Sequence, residues 1–587
     1  MTKRLELTWD LDVIFAGGSE SSELRKTMDE ADALVDELQK RAAGLGADVD
    51  AWAQFLSDLE LAMAKLTEAG AFIHCLTAQN VKDQQAIILY GRMRAQWAKV
   101  EAVTNQIADL LRNLSDDEFA AVVSDERNRE IAFSLSEARE LAADRMDLAR
   151  ELLATDLAVD GYHALYTLYQ TVVGRMKISV RGEELSVAQA APRFASHDRS
   201  LRQELFANWE AAWEQEADLI AHALNHLAGF RLSLYKHRGW DDVLKEPLAV
   251  NRIRRETLDA MFAAVESVRP RLGQYLDRKA KLLGADRLAW YDLEAPIGTA
   301  DRKIRYDDAA AFIVEQFGRF SPDLARFARN AFENRWIEAE DRPNKRPGGF
   351  CTSFPISKQS RIFMTFSGTP GGQSTLAHEL GHAYHSYVMQ DLRISAQSYP
   401  MNLAETASTF AELIVSSAAI EAARDPEERR VLLANRLDDA VAYLMNLPAR
   451  FLFESRFYAE RAKGQLTPGE LNALMEQAQR EAYADSLAVY HPYFWASKLH
   501  FYLTSQPFYN FPYTFGYLFS AALYARAKAE GPAFADRYVA LLRDTGSMKA
   551  EDLVKKHLGE DLTDDAFWKQ GFEVTYSDLE QFLTLTE

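Results

Sequence analysis

The sequence predicts a mainly α-helical protein with a small β component, laid out in at least two lobes. Three observations carry that expectation. Apolar residues recur with helical spacing along most of the chain: Leu24, Met28, Ala31, Val35 and Leu38 follow one another at 4-3-4-3 intervals, the stripe of an amphipathic helix. Strand-like composition is confined to two short regions. The 587 residues are also too many for one hydrophobic core, because single cores stop growing beyond roughly 250–300 residues.

Taken in order, helical patterns cover 51–77, 83–114, 137–153, 199–236, 255–283 and 425–463, the last bent at Pro448 because proline removes a backbone donor. Met176-Lys177-Ile178-Ser179-Val180 followed by Arg181-Gly182-Glu183 has the composition of a hairpin arm and its turn. A second extended region spans 347–368. Within it Arg361-Ile362-Phe363-Met364-Thr365-Phe366 has the β-branched and aromatic content of a strand. The glycine-rich loop 367–372 comes next, and Ser374 or Thr375 is placed to cap the helix that follows. A strand beside such a helix can pair with an extended peptide; a purely structural sheet is the alternative. No fixed-period repeat is present. A soft boundary is expected near residue 200, separating a helical lobe with a hairpin (1–200) from a part that carries the chemistry (201–587).

Composition narrows the function. A net charge of −20 argues against a nucleic-acid surface, which needs a basic stripe. The two cysteines, Cys75 and Cys351, can build neither a disulfide framework nor a thiolate metal cluster. Met1-Thr2-Lys3-Arg4-Leu5-Glu6 has no apolar core of a signal peptide. No run approaches about 18 uninterrupted apolar residues; the stretch 508–524 comes nearest and is broken by Asn510, Pro512 and several tyrosines. The expectation is a cytoplasmic protein without membrane or nucleic-acid partners.

One segment decides the chemistry: His378-Glu379-Leu380-Gly381-His382, the HExxH signature of zinc hydrolases. Residues i and i+4 stack on one helix face, so both imidazoles can reach one metal ion. Glu379 stands about 100° around the helix, beside the metal, where a general base can take a proton from water. Catalytic zinc usually has three protein ligands. Position 388, where one class of these enzymes has a third histidine, is Val388. His385 lies off the shared face and suits packing. Glu405 is the better candidate, since a carboxylate in the apolar run 402–412 needs a cation or a partner; an ordinary solvated face is the bland alternative. Glu412, nearly two turns on, shares that face and could accept a hydrogen bond from a liganding histidine. His222 and His226 have metal spacing, but no carboxylate follows the first. Near the C-terminus, His491, His500, Tyr502, Tyr509, Tyr513 and Tyr517 include donors suited to a developing oxyanion, although such aromatic segments are more often core.

With these residues in place, the chain resembles the oligoendopeptidase F and thimet oligopeptidase family of zinc metallopeptidases, most closely the bacterial oligoendopeptidase F branch. Matching stretches are 371–386 around HExxH, 404–410 around Glu405, 507–517 (Pro507-Phe508-Tyr509 through Tyr517) and Trp9-Asp10-Leu11. The resemblance implies a mainly α, two-lobed zincin-like metallopeptidase fold, with a small β-sheet beside the HExxH helix and a deep substrate channel. It implies one Zn2+ held by His378, His382 and Glu405, with Glu379 as general base. His500, Tyr509 and Tyr517 are the nearest matches to the family's substrate-binding and transition-state residues, and His491, Tyr502 and Tyr513 stay open for those roles. The implied activity is endopeptidase cleavage of short unstructured peptides. A zinc exopeptidase and a non-catalytic peptide-binding relative are the alternatives.

Overall fold

The computed structural model describes residues 4–298 and 303–587; Met1, Thr2 and Lys3 of the amino-terminal hexapeptide lie outside the described residues. The fold is 72% helix and 3% strand. The periodic stretches of the sequence become Val49–Gln79, Gln84–Asn113, Arg199–Arg238 and Arg255–Leu282. The first three have an aspartate (Asp48, Asp83, Asp198) accepting backbone N–H groups of the first turn. Gly239, at φ 74°, ends Arg199–Arg238 in the left-handed conformation.

Two stretches differ from the periodicity. Residues 137–153 form two helices, Ala132–Ala143 and Leu148–Ala158, separated where Asp147 caps the second. Residues 425–463 form Pro426–Val441 and Leu447–Arg461, joined by a π-helical turn over Ala442–Asn446. Pro448 follows that wide turn, which accommodates its missing donor.

The described residues divide into two compact units, each assembled from separated segments. The first lies within Met1–Arg145, Arg302–Ala418 and Arg526–Gly559; the second within Met146–Asp301, Ala419–Ala525 and Glu560–Glu587. None of these breaks falls at residue 200.

In the first unit, a three-stranded sheet has the order Ile337–Glu338, Gln359–Phe363, Phe350–Phe354. Gln359–Phe363 is therefore the central strand and Phe350–Phe354 an edge. The strand predicted over 361–366 begins and ends earlier, because Ser360 and Gln359 pair with Ser353 and Phe354 in an antiparallel hairpin. The turn is held by Glu68, whose carboxylate accepts the N–H groups of Ile356 and Ser357. Trp9 packs on Phe350 and Phe363, and the Asp10 carbonyl accepts from the buried Arg361 guanidinium, so the amino-terminal segment is stitched to the sheet. The helix Pro370–Met389 packs on both hairpin strands. Its cap is Thr369, whose hydroxyl accepts from Gly372 N–H at 3.1 Å. The helix thus starts before Ser374 and Thr375, with Pro370 at its first turn, where no donor is missed.

In the second unit, the hairpin Ile178–Val180 and Glu183–Leu185 turns through Arg181 (φ 49°) and Gly182 (φ 81°), both left-handed as a tight hairpin turn requires. Both cysteines are free thiols.

Candidate metal centre

Pro370–Met389 carries His378 and His382 one turn apart, their ring centroids 5.0 Å from each other. The facing backbone is the kink between Met401–Ala404 and Thr406–Ala422, and Glu405 stands at that kink. The approach of the two segments depends on Gly381. A Cβ there would lie 2.4 Å from the Ala407 carbonyl oxygen and 2.6 Å from Ser408 Cα, far inside van der Waals contact with backbone that cannot yield.

That approach brings Glu405 Oε2 to 3.3 Å from His378 Nε2 and 3.5 Å from His382 Nε2. Ligand atoms about 2.0–2.2 Å from a tetrahedral ion lie roughly 3.3–3.5 Å apart, so the donor set fits one ion. Among the described residues, this is the one cluster of three or more such side chains with metal-binding spacing. The neighbours orient each ligand. Ser408 donates to Glu405 Oε2 at 2.7 Å, His382 is hydrogen-bonded to the Ala404 backbone, and Glu412 Oε2 lies 3.1 Å from His378 Nδ1. With Glu412 accepting from Nδ1–H, the Nε2 lone pair of a neutral His378 faces the Glu405 carboxylate. Two acceptors in contact need a cation or a proton between them. Burial opposes a charge on His378, yet Glu405 and Glu412 together push it up to about 10. Burial pushes His382 down to about 4.

Glu379, on the same helix, is buried. Its Oε1 lies against Gly349, where a Cβ would come within 3.1 Å. Its Oε2 has no partner among the described residues. Burial raises this carboxyl to about 7, with His378 lowering and Glu405 raising it. The edge strand Phe350–Phe354 begins beside it.

His385 is fully buried, stacked on Tyr399 at 4.2 Å and bonded through Nε2 to Leu542 O and Thr545 Oγ1. It ties the metal helix to Ala535–Asp544 and lies outside the cluster. His222 and His226 are exposed, with rings 6.3 Å apart. The apolar helical stretch Met401–Ala422, rather than 508–524, is the one among the described residues long and apolar enough by composition to cross a membrane, at mean hydropathy 1.2. More than half of its most apolar part is buried inside the protein, and its residues 407 and 408 lie against the metal helix.

The late aromatic residues belong to the second unit, where they separate into core and surface. His491 is buried, paired with Glu210 and packed by Phe206, Trp290 and Phe494. Tyr502 is buried against Tyr169 and donates to Trp495 O. Partly exposed His500, Tyr509 and Tyr513 meet one another, with His500–Tyr509 rings 5.8 Å and Tyr509–Tyr513 rings 5.4 Å apart. Tyr517, one turn after Tyr513, stacks on Tyr443 at 4.6 Å with its hydroxyl 3.5 Å from Thr575 Oγ1, so it is not brought onto His500. Sequence reasoning missed Glu454. Its carboxylate accepts from Phe508 N–H and Asn510 Nδ2, and so holds Phe508 at φ 55° beside Tyr509. An acid within Phe451-Leu452-Phe453-Glu454 was the available signal.

The similarity to known proteins covers both the sequence and the fold. An oligoendopeptidase F homolog of Lactococcus lactis is 27% identical over 399 residues, 67% of this chain and 65% of that protein, so the match spans just under two thirds of the relative's length. Another homolog of that name, from Borreliella burgdorferi, is 21% identical over 95% of this chain and 94% of its own. A crystallised protein from Chlamydophila abortus shares the fold at TM-score 0.84 and 19% identity, over 98% of both chains. The family model of peptidase family M3 matches 194–572. That interval contains HExxH, Glu405 and the His500–Tyr517 segment and makes up more than half of the sequence, and the chain belongs to peptidase family M3.

Proposed function

We propose that this chain is a zinc-dependent endopeptidase that hydrolyses internal bonds of short unstructured peptides, with Glu379 as general base. The observation that carries the proposal is the convergence of His378 Nε2, His382 Nε2 and Glu405 Oε2 beside an unpartnered buried carboxylate oxygen of Glu379. Two imidazoles and a carboxylate favour zinc over magnesium or calcium. When bound, the ion lowers the pKa of water and polarises the scissile carbonyl.

The chain supplies the rest. Glu379 takes the proton of the attacking water and delivers it to the departing amine; its burial favours the neutral carboxyl, the form that holds the proton between those two transfers. Glu412 holds His378 in one tautomer. The open edge of Phe350–Phe354 offers backbone groups for an extended peptide, a role its edge position suits better than the central strand. The family resemblance assigns His500, Tyr509 and Tyr517 to substrate and transition state; His500 and Tyr509 meet each other and Tyr513, while Tyr517 stands apart on Tyr443. In this proposal 201–587 is the catalytic part, 1–200 the helical lobe, and the enzyme works in the cytoplasm without nucleic acid or membrane.

The test combines metal analysis with cleavage of internally quenched peptides acetylated at the N-terminus. One zinc per chain, internal cuts seen by mass spectrometry and loss of activity with chelator are expected. A zinc-loaded protein that leaves blocked peptides intact but trims those with a free amine would be an exopeptidase. One that binds but cuts nothing would be a peptide-binding relative.

A further inference from the structure

The second unit holds two cations that the chemistry above does not use. Arg450, on Leu447–Arg461, and Lys498, two residues before His500, lie against the same aromatic ring. The Arg450 guanidinium carbon is 5.3 Å and the Lys498 ammonium nitrogen 4.9 Å from the centroid of Phe494. Arg450 donates twice to a neutral acceptor, Asn446 Oδ1, at 2.9 and 2.6 Å. Neither cation forms an ion pair among the described residues, and Glu294, which is exposed, acts on Lys498 only from a distance. Elsewhere in this unit, Arg202 and Lys279 are buried against acids, Asp292 at 2.9 Å and Asp438 at 2.6 Å, whereas buried Arg231 bonds to Tyr458 Oη and Leu503 O. Each cation raises the cost of charge on the other, and an anion placed between them would offset that cost.

The surroundings show where that anion would come from. Arg450, Lys498, His500, Tyr509 and Tyr513 are all partly exposed, so the pair is open to a ligand. Arg450 acts electrostatically on both His500 and Tyr513, and the His500 and Tyr513 rings are 6.3 Å apart. The cations therefore border the cluster that the proposed function assigns to substrate.

We propose that Arg450 and Lys498 form a binding site for a carboxylate of the peptide substrate, supplied by its C-terminus or by an acidic side chain. This rests on the peptidase proposal. Arg450 offers the planar fork that matches a carboxylate and Lys498 a point charge. Burial, then Arg450, pushes the Lys498 amine down to about 7, so an incoming carboxylate would restore its full charge. Any unmodified peptide ends in one carboxylate whatever its sequence, so the site would hold peptides of varied sequence by a group they share.

The experiment compares three N-acetylated quenched peptides sharing one core sequence: a C-terminal acid, the corresponding C-terminal amide, and an amide whose last residue is replaced by glutamate. The acid should be cleaved with kcat/KM at least tenfold above the plain amide, mostly through KM. If the glutamate amide recovers the rate, a side-chain carboxylate serves; if it does not, the terminus is the ligand. Lys498→Met and Arg450→Met should shrink the acid-to-amide ratio below about threefold, and Lys498→Arg should preserve it. Equal rates for all three peptides on the wild-type enzyme overturn the site, as do variants that slow every peptide by one common factor. Should no peptide be cleaved, calorimetric titration of N-acetyl-Phe-Leu acid and its amide into the same protein still decides. A tenfold preference for the acid supports the site without the peptidase proposal, and equal affinity removes it.

Discussion

Glu379 shows how much chemistry depends on the surroundings of one side chain. On a solvated helix it would be an ordinary acid, fully ionised near neutrality. Buried next to Gly349 and the two histidines, with Oε2 unpaired among the described residues, it is raised to about 7. Glu379→Gln keeps the shape and removes the base. Turnover is expected to fall by about 10²–10⁴-fold while zinc content, measured by mass spectrometry, stays at wild-type level; a fully active Gln variant would take the role of base away from this residue. The type and spacing of His378, Glu379 and His382 were legible because an α-helix turns a sequence interval of four into proximity. Glu405 was legible only as an acid in an apolar run. Its distance from the histidines depends on a fold that brings residues 378 and 405 together.

At the scale of elements, the metal site is a contact between one helix and one kinked helical segment, and its spacing is set by Gly381. A methyl group at that position meets the backbone of Ala407 and Ser408, so the segments must separate. Overpacking of this kind costs about 1–3 kcal/mol, and here the displacement also moves Glu405 away from the imidazoles. Gly381→Ala should bind zinc at least tenfold more weakly in competition with a chelating dye. An unchanged affinity would mean that Glu405 reaches the ion by another route. Helix existence was well marked by periodicity, but element ends were not. Thr369 won the cap over Ser374 and Thr375 because Pro370 starts a helix without losing a donor. The hairpin drew the strand back to 359–363, since its partner residues 350–354 lie outside any local window.

For the molecule as a whole, buried histidines link stability to pH. Burial holds His385 down to about 3 and His382 to about 4. In the unfolded chain both titrate near the ordinary 6.5, so between these values the unfolded state binds more protons than the folded one. Their contribution is complete above about pH 6.5 and is lost as pH falls. One pKa unit is about 1.4 kcal/mol, so acidifying metal-free protein from pH 6.5 to 4.5 should cost roughly 2–3 kcal/mol through His385 alone. Urea unfolding of wild type and His385→Gln at both pH values checks this: the variant should lose less stability on acidification, and parallel losses would place the acid sensitivity elsewhere. The two compact units each combine segments far apart in the chain, an arrangement that no composition shift or linker announces.

The sequence by itself determined the helical class, the HExxH pair with its adjacent acid, and the candidate third ligand, because these rest on local periodicity and residue chemistry. Only the tertiary structure decided that Glu405 and Glu412 address His378 from opposite ring nitrogens. It also decided that His491 and Tyr502 are core while His500, Tyr509 and Tyr513 are partly exposed, and that Arg450 and Lys498 share one ring without an acid. Those outcomes depend on which distant segments pack together, and packing is a property of the whole chain that no window of sequence contains.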